Sequence, residues 1–188
     1  MANRPTAIIL GARFPALGVV SCLSQAGIAC VVCESRRYQA AWSRRAVFRR
    51  MPDPRVDPDV AAARVTDIAR EFTSGGNLPV VIPTDDHFAI LLAQNADSLS
   101  KVATLCCGKS EAVTLFADQL RFASWAQEQD VNVPRSSSAK SFDKEMSFPI
   151  IVKPLNYSCF LGMDVELPQG TRHSDLRYNR FDDAESWS

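Results

Sequence analysis

Short apolar runs alternate with segments of helical spacing through about the first 107 residues of the chain. "TAIILGA" reads as a short buried strand, and "PALGVVSCLSQAG" after it places Ala16, Val20 and Leu23 at helical intervals with Gly27 set to end the helix. "IACVVCE" is the next strand. A strand, helix and strand of this length imply a right-handed crossover and a parallel sheet. "MPDPRVDPD" is a connection, after which Asp57 and Pro58 form a helix start and Ala61, Val65, Ile68 and Phe72 align on one face. "TSGGN" ends that helix, and "LPVVIPT" is again a short buried strand. Thr84 can cap a helix through "DDHFAILLAQNADSL", and "VATLCCG" is one more strand. The alternation predicts an α/β domain over residues 1–107: a Rossmann-like open parallel sheet flanked by helices.

From residue 108 the pattern changes. "SEAVTLFADQLRFASWAQEQDV" is helical, with Ala112, Phe116, Leu120 and Ala123 on one face and a break expected at Asp118, a capping residue. A polar turn region follows. In "FPIIVKPL", Phe148, Ile150, Ile151 and Val152 read as a strand buried on both faces, ended by Lys153 and Pro154. "MDVEL" is expected as a return strand and "DLRYNRF" as a further one. "DDAESWS" reads as the first turn of a helix, so residues 108–188 are expected to form an incomplete second α+β unit that stops mid-domain.

Composition narrows the class. The chain has 188 residues, 46% hydrophobic and 22% charged, which suits globular folding. No apolar stretch approaches the roughly 20 residues that span a bilayer, and no hydrophobic leader precedes the first strand, so no membrane association and a cytoplasmic location are expected. Basic and acidic residues balance at 21 each, giving no net field toward nucleic acid, and no nucleic-acid partner is expected. Locally the balance fails: "RRYQAAWSRRAVFRR", residues 36–50, holds six arginines and no acid. It is either a solvated face or a phosphate or nucleic-acid patch, and isolated basic runs are usually the former. The six cysteines lack a second spaced Cys/His pair that would complete a zinc set. Cys30 with Cys33, and Cys106 with Cys107, lie in apolar runs and are expected as small buried hydrophobes.

Ligands of open α/β sheets collect outside the carboxyl ends of the strands, which singles out "GARFPALG", "PTDDH" and "CGKSE". Gly11 allows a tight turn, and amides opening the next helix can hold an anion. The spacing is not that of a dinucleotide fingerprint, which leaves an NAD(P) enzyme with little behind it. Asp85 and Asp86 would lie at the same sheet edge, either binding a cationic or hydroxylated group or sitting where a helix start favours negative charge. Arg13 and Asp85 can form walls of a polar cleft, so Gly11, Arg13, Asp85 and Asp86 are the candidate substrate-binding residues.

The order of a helix containing "ADQLRFASWAQEQDVNVPRS", a polar turn, "FPIIVKP" and a return strand resembles the ATP-grasp superfamily. In that superfamily a Rossmann-like domain precedes a helix opened by Asp-Lys and a strand ending in Lys-Pro. The resemblance covers essentially the whole chain, with residues 1–107 as the preceding domain and 108–188 as the start of the grasp. It implies a carboxylate–amine or thiol ligase that uses ATP and Mg²⁺ through an acyl phosphate, acting on a small-molecule carboxylate. Lys153 matches the lysine that meets nucleotide phosphate, and Ser158 and Gly162 are the residues of "LNYSCFLGM" suited to close phosphate approach.

Three departures accompany it. Gln119 stands where the superfamily has lysine, Tyr157 and Phe160 crowd the phosphate loop, and the acidic metal ligands would lie in a later subdomain. This chain alone is therefore expected to be inactive, with no catalytic residue or metal ligand of its own. The alternative is a non-catalytic ATP-grasp-like module for small-molecule binding or assembly. An incomplete subdomain leaves sheet edges uncovered, so self-association or a partner contact through residues 108–188 is expected.

Overall fold

The computed structural model describes residues 4–136, 150–152 and 179–181. The chain divides into two units, Met1–Val113 and Thr114–Ser188. The first is an open parallel sheet of five strands with helices on both faces, as the alternating pattern predicts. Its strands are β1 (Ala7–Leu10), β2 (Cys30–Glu34), β3 (Ala46–Arg50), β4 (Val80–Pro83) and β5 (Thr104–Leu105), in the order β3-β2-β1-β4-β5.

Alternation along β1 and β2 builds two cores. Ile8, Leu10, Val31 and Cys33 face one side, where α2 (Pro58–Glu71) and α3 (Asp86–Gln94) bring Val65, Ile68, Phe88, Leu91 and Leu92. The short α4 (Ala96–Leu99) adds Leu99 to the same cluster. Ala7, Ile9, Cys30 and Val32 face the other side, against Ala16 and Val20 of α1 (Phe14–Gln25) and a 3-10 helix, Gln39–Trp42. Ala16 and Val20 are fully buried as their spacing requires, and Leu23 packs at the margin.

The helix boundaries have local causes. Asp57 accepts a hydrogen bond from the Val60 amide and Pro58 opens α2 where no amide is needed. Gly27 ends α1 with φ +73°; its amide donates to the Ser24 carbonyl and that of Ile28 to Leu23, the paired bonds of a left-handed helix stop. At α3 the cap is Asp85, which accepts from the Phe88 amide, rather than Thr84. The Thr84 hydroxyl is already donating to the Leu10 carbonyl at 2.8 Å.

Arg36, Arg37, Arg44, Arg45 and Arg50 are exposed, as the solvated-face reading expects, but residues 46–50 also form strand β3, an element that reading did not include. As an edge strand it needs only one side packed, which the partly buried Ala46 and Phe48 supply. Strand β5 stops at Leu105, so Cys106 is exposed and Cys107 half-buried, while Cys30 and Cys33 are buried as expected.

In the second unit, α5 (Ser110–Ala117), which begins just before the division, is followed by α6 (Gln119–Glu128). They meet at Asp118, the expected break, whose carboxylate accepts from the Leu120 and Arg121 amides. Of the expected apolar stripe, Ala112 and Phe116 are exposed; Ala126 is the buried residue of α6. Phe116, Phe122 and Trp125 cluster, with ring centroids 5.2 to 6.4 Å apart. Strands β6 (Ile150–Val152) and β7 (Asn179–Phe181) pair antiparallel, so "FPIIVKPL" and "DLRYNRF" both contribute strand. Ile151 is 66% exposed, which corrects the reading of a strand buried on both faces: in the two-stranded β6–β7 ladder alternate side chains face opposite sides, and that of Ile151 is uncovered. The expected return strand "MDVEL" lies outside the described residues.

Candidate functional site

Strand order reverses between β1 and β4: the chain leaves β1 for β2 and β3 on one side, then crosses to β4 and β5 on the other. Beyond the carboxyl ends of these two strands the following loops diverge, which is where open α/β sheets hold ligands. Gly11 ends β1 with φ +102°, a backbone conformation that side chains disfavour. A Cβ there would lie 2.3 Å from Thr84 Oγ1 and 3.4 Å from Asp85 Oδ2. The glycine thus lets the start of the β4 loop close directly onto the β1 backbone.

Asp85 is half-buried at this junction, with Oδ1 accepting from the Phe88 amide. Burial pushes its carboxyl up from the ordinary range, against the pull of the amide bonds and of His87. Four further groups share its field. Glu34, only 7% exposed at the end of β2, is also pushed up by burial and by the negative charge of Asp85 and Asp53, while Ser35 donates to it from both amide and hydroxyl. Asp53 is held down by a bidentate pairing with Arg55, whose Nε lies 2.7 Å from Oδ1. His87 is pushed down by burial and by Arg55, with the surrounding carboxylates opposing.

Chemically the cluster offers acceptors to an ammonium or hydroxyl group, one fixed guanidinium, and carboxyls that take up a proton more readily than in water. Of the sequence candidates, Gly11 and Asp85 meet here. Asp86 is exposed in the first turn of α3. Arg13, at the cap of α1, stacks its guanidinium 4.3 Å above the Tyr38 ring. Lys153, Ser158 and Gly162 lie outside the described residues. Glu34, Asp53, Arg55 and His87 were missed from sequence. The rule that found the other loops would have found Glu34, and Asp53 with Arg55 follow β3, the strand hidden by its arginines.

The Asp118 carboxylate is engaged in capping α6, and Gln119 beside it is neutral. Among the described residues no grouping of His, Cys, Asp and Glu is arranged to hold a metal ion, and no helix is long and apolar enough to cross a membrane.

No protein-family model matches the chain, and no curated protein matches it. Solved structures do. An L-amino acid ligase from Bacillus licheniformis aligns over 99% of this chain and 41% of its own, with TM-score 0.64 and 15% identity. An N5-carboxyaminoimidazole ribonucleotide synthetase solved as an ADP complex aligns over 97% of this chain and 42% of its own, with TM-score 0.62 and 12% identity. The synthetase of that name from Thermotoga maritima aligns over 81% and 39%, with TM-score 0.56 and 12% identity. At such identities the likeness establishes the fold alone: an open Rossmann-like parallel sheet flanked by helices. The chain spans about two fifths of the length of these structures.

Proposed function

We propose that this chain is the amino-terminal portion of an ATP-dependent carboxylate–amine or thiol ligase, and that the carboxyl edge of its sheet binds the non-nucleotide substrate. The observation carrying this is the switch-point junction, where Gly11 admits Thr84 and Asp85 beside the charged group of Glu34, Asp53, Arg55 and His87. Likeness of fold to a ligase and to synthetases along nearly the whole chain supports the class. When bound, ATP with Mg²⁺ would supply the phosphoryl group that turns a carboxylate into an acyl phosphate, open to displacement by an amine or thiol.

In this reading Lys153 steadies phosphate charge, and Ser158 and Gly162 let the backbone approach it. Asp85 and Glu34 accept hydrogen bonds from a substrate amine or hydroxyl, and Arg55 keeps Asp53 ionised beside them. Residues 1–107 and 108–188 serve as preceding domain and first part of the grasp, in a cytoplasmic protein that associates through the latter.

The test uses the full-length gene product. ATP, Mg²⁺ and a panel of carboxylates with hydroxylamine should yield ADP and a hydroxamate, the trapped acyl phosphate. Lys153→Ala should abolish the product. Absence of ATP binding would overturn the ligase reading. Gln119, neutral at the start of α6, favours the second reading, a non-catalytic module; binding of a carboxylate or amine without ATP binding would support that instead.

A further inference from the structure

The junction between α1 and the 3-10 helix carries a surface that the ligase reading does not use. The Ala40 amide donates to the Ala12 carbonyl at 2.8 Å, tying the start of α1 to the 3-10 helix. Around this tie, Arg13 stacks on Tyr38, and Arg37 lies between two rings, 5.0 Å from the centroid of Trp42 and 4.7 Å from that of Phe48. Trp42 is 70% exposed despite its stack on Arg37, and Phe14, at the start of α1, is also 70% exposed.

Arg36, Arg44 and Arg45 project nearby, exposed and without an acidic partner among the described residues. Arg49 is set apart, spent on Glu71 at 2.5 Å and on the Phe72 ring. Lysine or arginine along an edge strand is a common guard against unwanted pairing, which would explain Arg45 beside β3. It does not explain two open aromatic rings among guanidiniums.

We propose that this surface binds single-stranded nucleic acid, with phosphates on Arg36, Arg44, Arg45 and Arg37 and bases stacked on Trp42 and Phe14. A single strand uses both halves of the surface, because each nucleotide brings an anion and a planar ring. An acidic polypeptide would use the arginines and leave the rings idle. A second copy of the same face would set Arg36, Arg37, Arg44 and Arg45 against the same four arginines. The balanced net charge conceals the patch, since the remainder of the chain carries fifteen basic residues against 21 acidic ones.

Fluorescence anisotropy of the 188-residue chain with labelled oligo-uridine and oligo-deoxythymidine tests the proposal. Binding should weaken with salt at a log–log slope of about −3, roughly 0.7 for each of four neutralised phosphates. Arg44→Glu with Arg45→Glu should weaken binding about tenfold or more. Trp42→Ala should weaken it about fivefold or more at unchanged slope, and Trp42→Phe should restore most of it. All variants should keep the wild-type circular dichroism and melting temperature, and Lys101→Glu, exposed between α4 and β5 at the opposite edge of the sheet from β3, should bind normally. No binding at about 50 mM salt would overturn the proposal. So would equal affinity for polyglutamate with no effect of Trp42→Ala, the result expected of an acidic protein partner.

Discussion

The hydroxyl of Thr84 occupies the space where Gly11 would carry a Cβ: the two positions lie 2.3 Å apart, and the hydroxyl reaches past the glycine to the Leu10 carbonyl. This contact closes the crossing from one half of the sheet to the other, and it makes the two residues energetically dependent.

Gly11→Ala combines an unfavourable backbone conformation with overlap, so it should cost about 2–4 kcal/mol. Thr84→Ala loses one hydroxyl bond and should cost about 1 kcal/mol. The double variant removes the overlapping oxygen and should be less destabilised than the two together, by about 1 kcal/mol. Urea denaturation of the four proteins completes the cycle. Strict additivity would show that Gly11 is required for its conformation alone.

His87 should titrate below the ordinary imidazole value of 6.5, because burial disfavours its charged form. Since Asp85 opposes that effect, Asp85→Asn should lower the midpoint further, as read from the imidazole proton resonance. The sign for stability follows: between the folded value and 6.5 the unfolded chain binds more protons, so His87 makes the fold less stable as pH falls through that range. His87→Gln should remove this contribution. Glu34 and Asp85, pushed up by burial, work oppositely, favouring the fold as pH falls into the carboxyl range; the wild-type minus His87→Gln difference in melting temperature isolates the histidine.

Burial pushes the Cys33 thiol up to about 12, so it holds almost no thiolate at neutral pH. Iodoacetamide on the native protein should label Cys22 and Cys106, which are exposed, well before Cys33. Peptide mapping after brief labelling decides the order. Early modification of Cys33 would mean that β2 opens readily.

Asp118→Ala removes the oxygen that caps α6 and should cost about 1 kcal/mol, visible as lost helical ellipticity. Asp118→Asn keeps an acceptor and should behave nearly as wild type. If the Asn variant of the full-length protein also lost ATP binding, the carboxylate would have a role beyond capping.

Much of the sheet was legible because its inner strands are buried on both faces and read as unbroken apolar runs: Ala7–Leu10, Cys30–Glu34 and Val80–Pro83. Strand β3 was not, since an edge strand buries one side and its arginines mimic a solvated segment. That omission hid Asp53 and Arg55, which are placed by β3. Asp85 was legible by its position after a strand, but not the field it shares with Glu34 and His87, which depends on residues brought together across three strands. Thr84 was assigned the wrong hydrogen bond because its acceptor, Leu10, lies 74 positions away.

That separation also governs the order in which the sheet can be built during translation. Strands β1, β2 and β3 form a contiguous stretch of chain, able to pair as soon as they leave the ribosome. The central strand β1 then waits with one side bare until β4 has been synthesised. Until then Ile8, Ile9 and Leu10 border an open edge, the arrangement most prone to pairing with another nascent chain. Synonymous changes that slow translation between residues 51 and 79 should therefore lower soluble yield without altering a single amino acid.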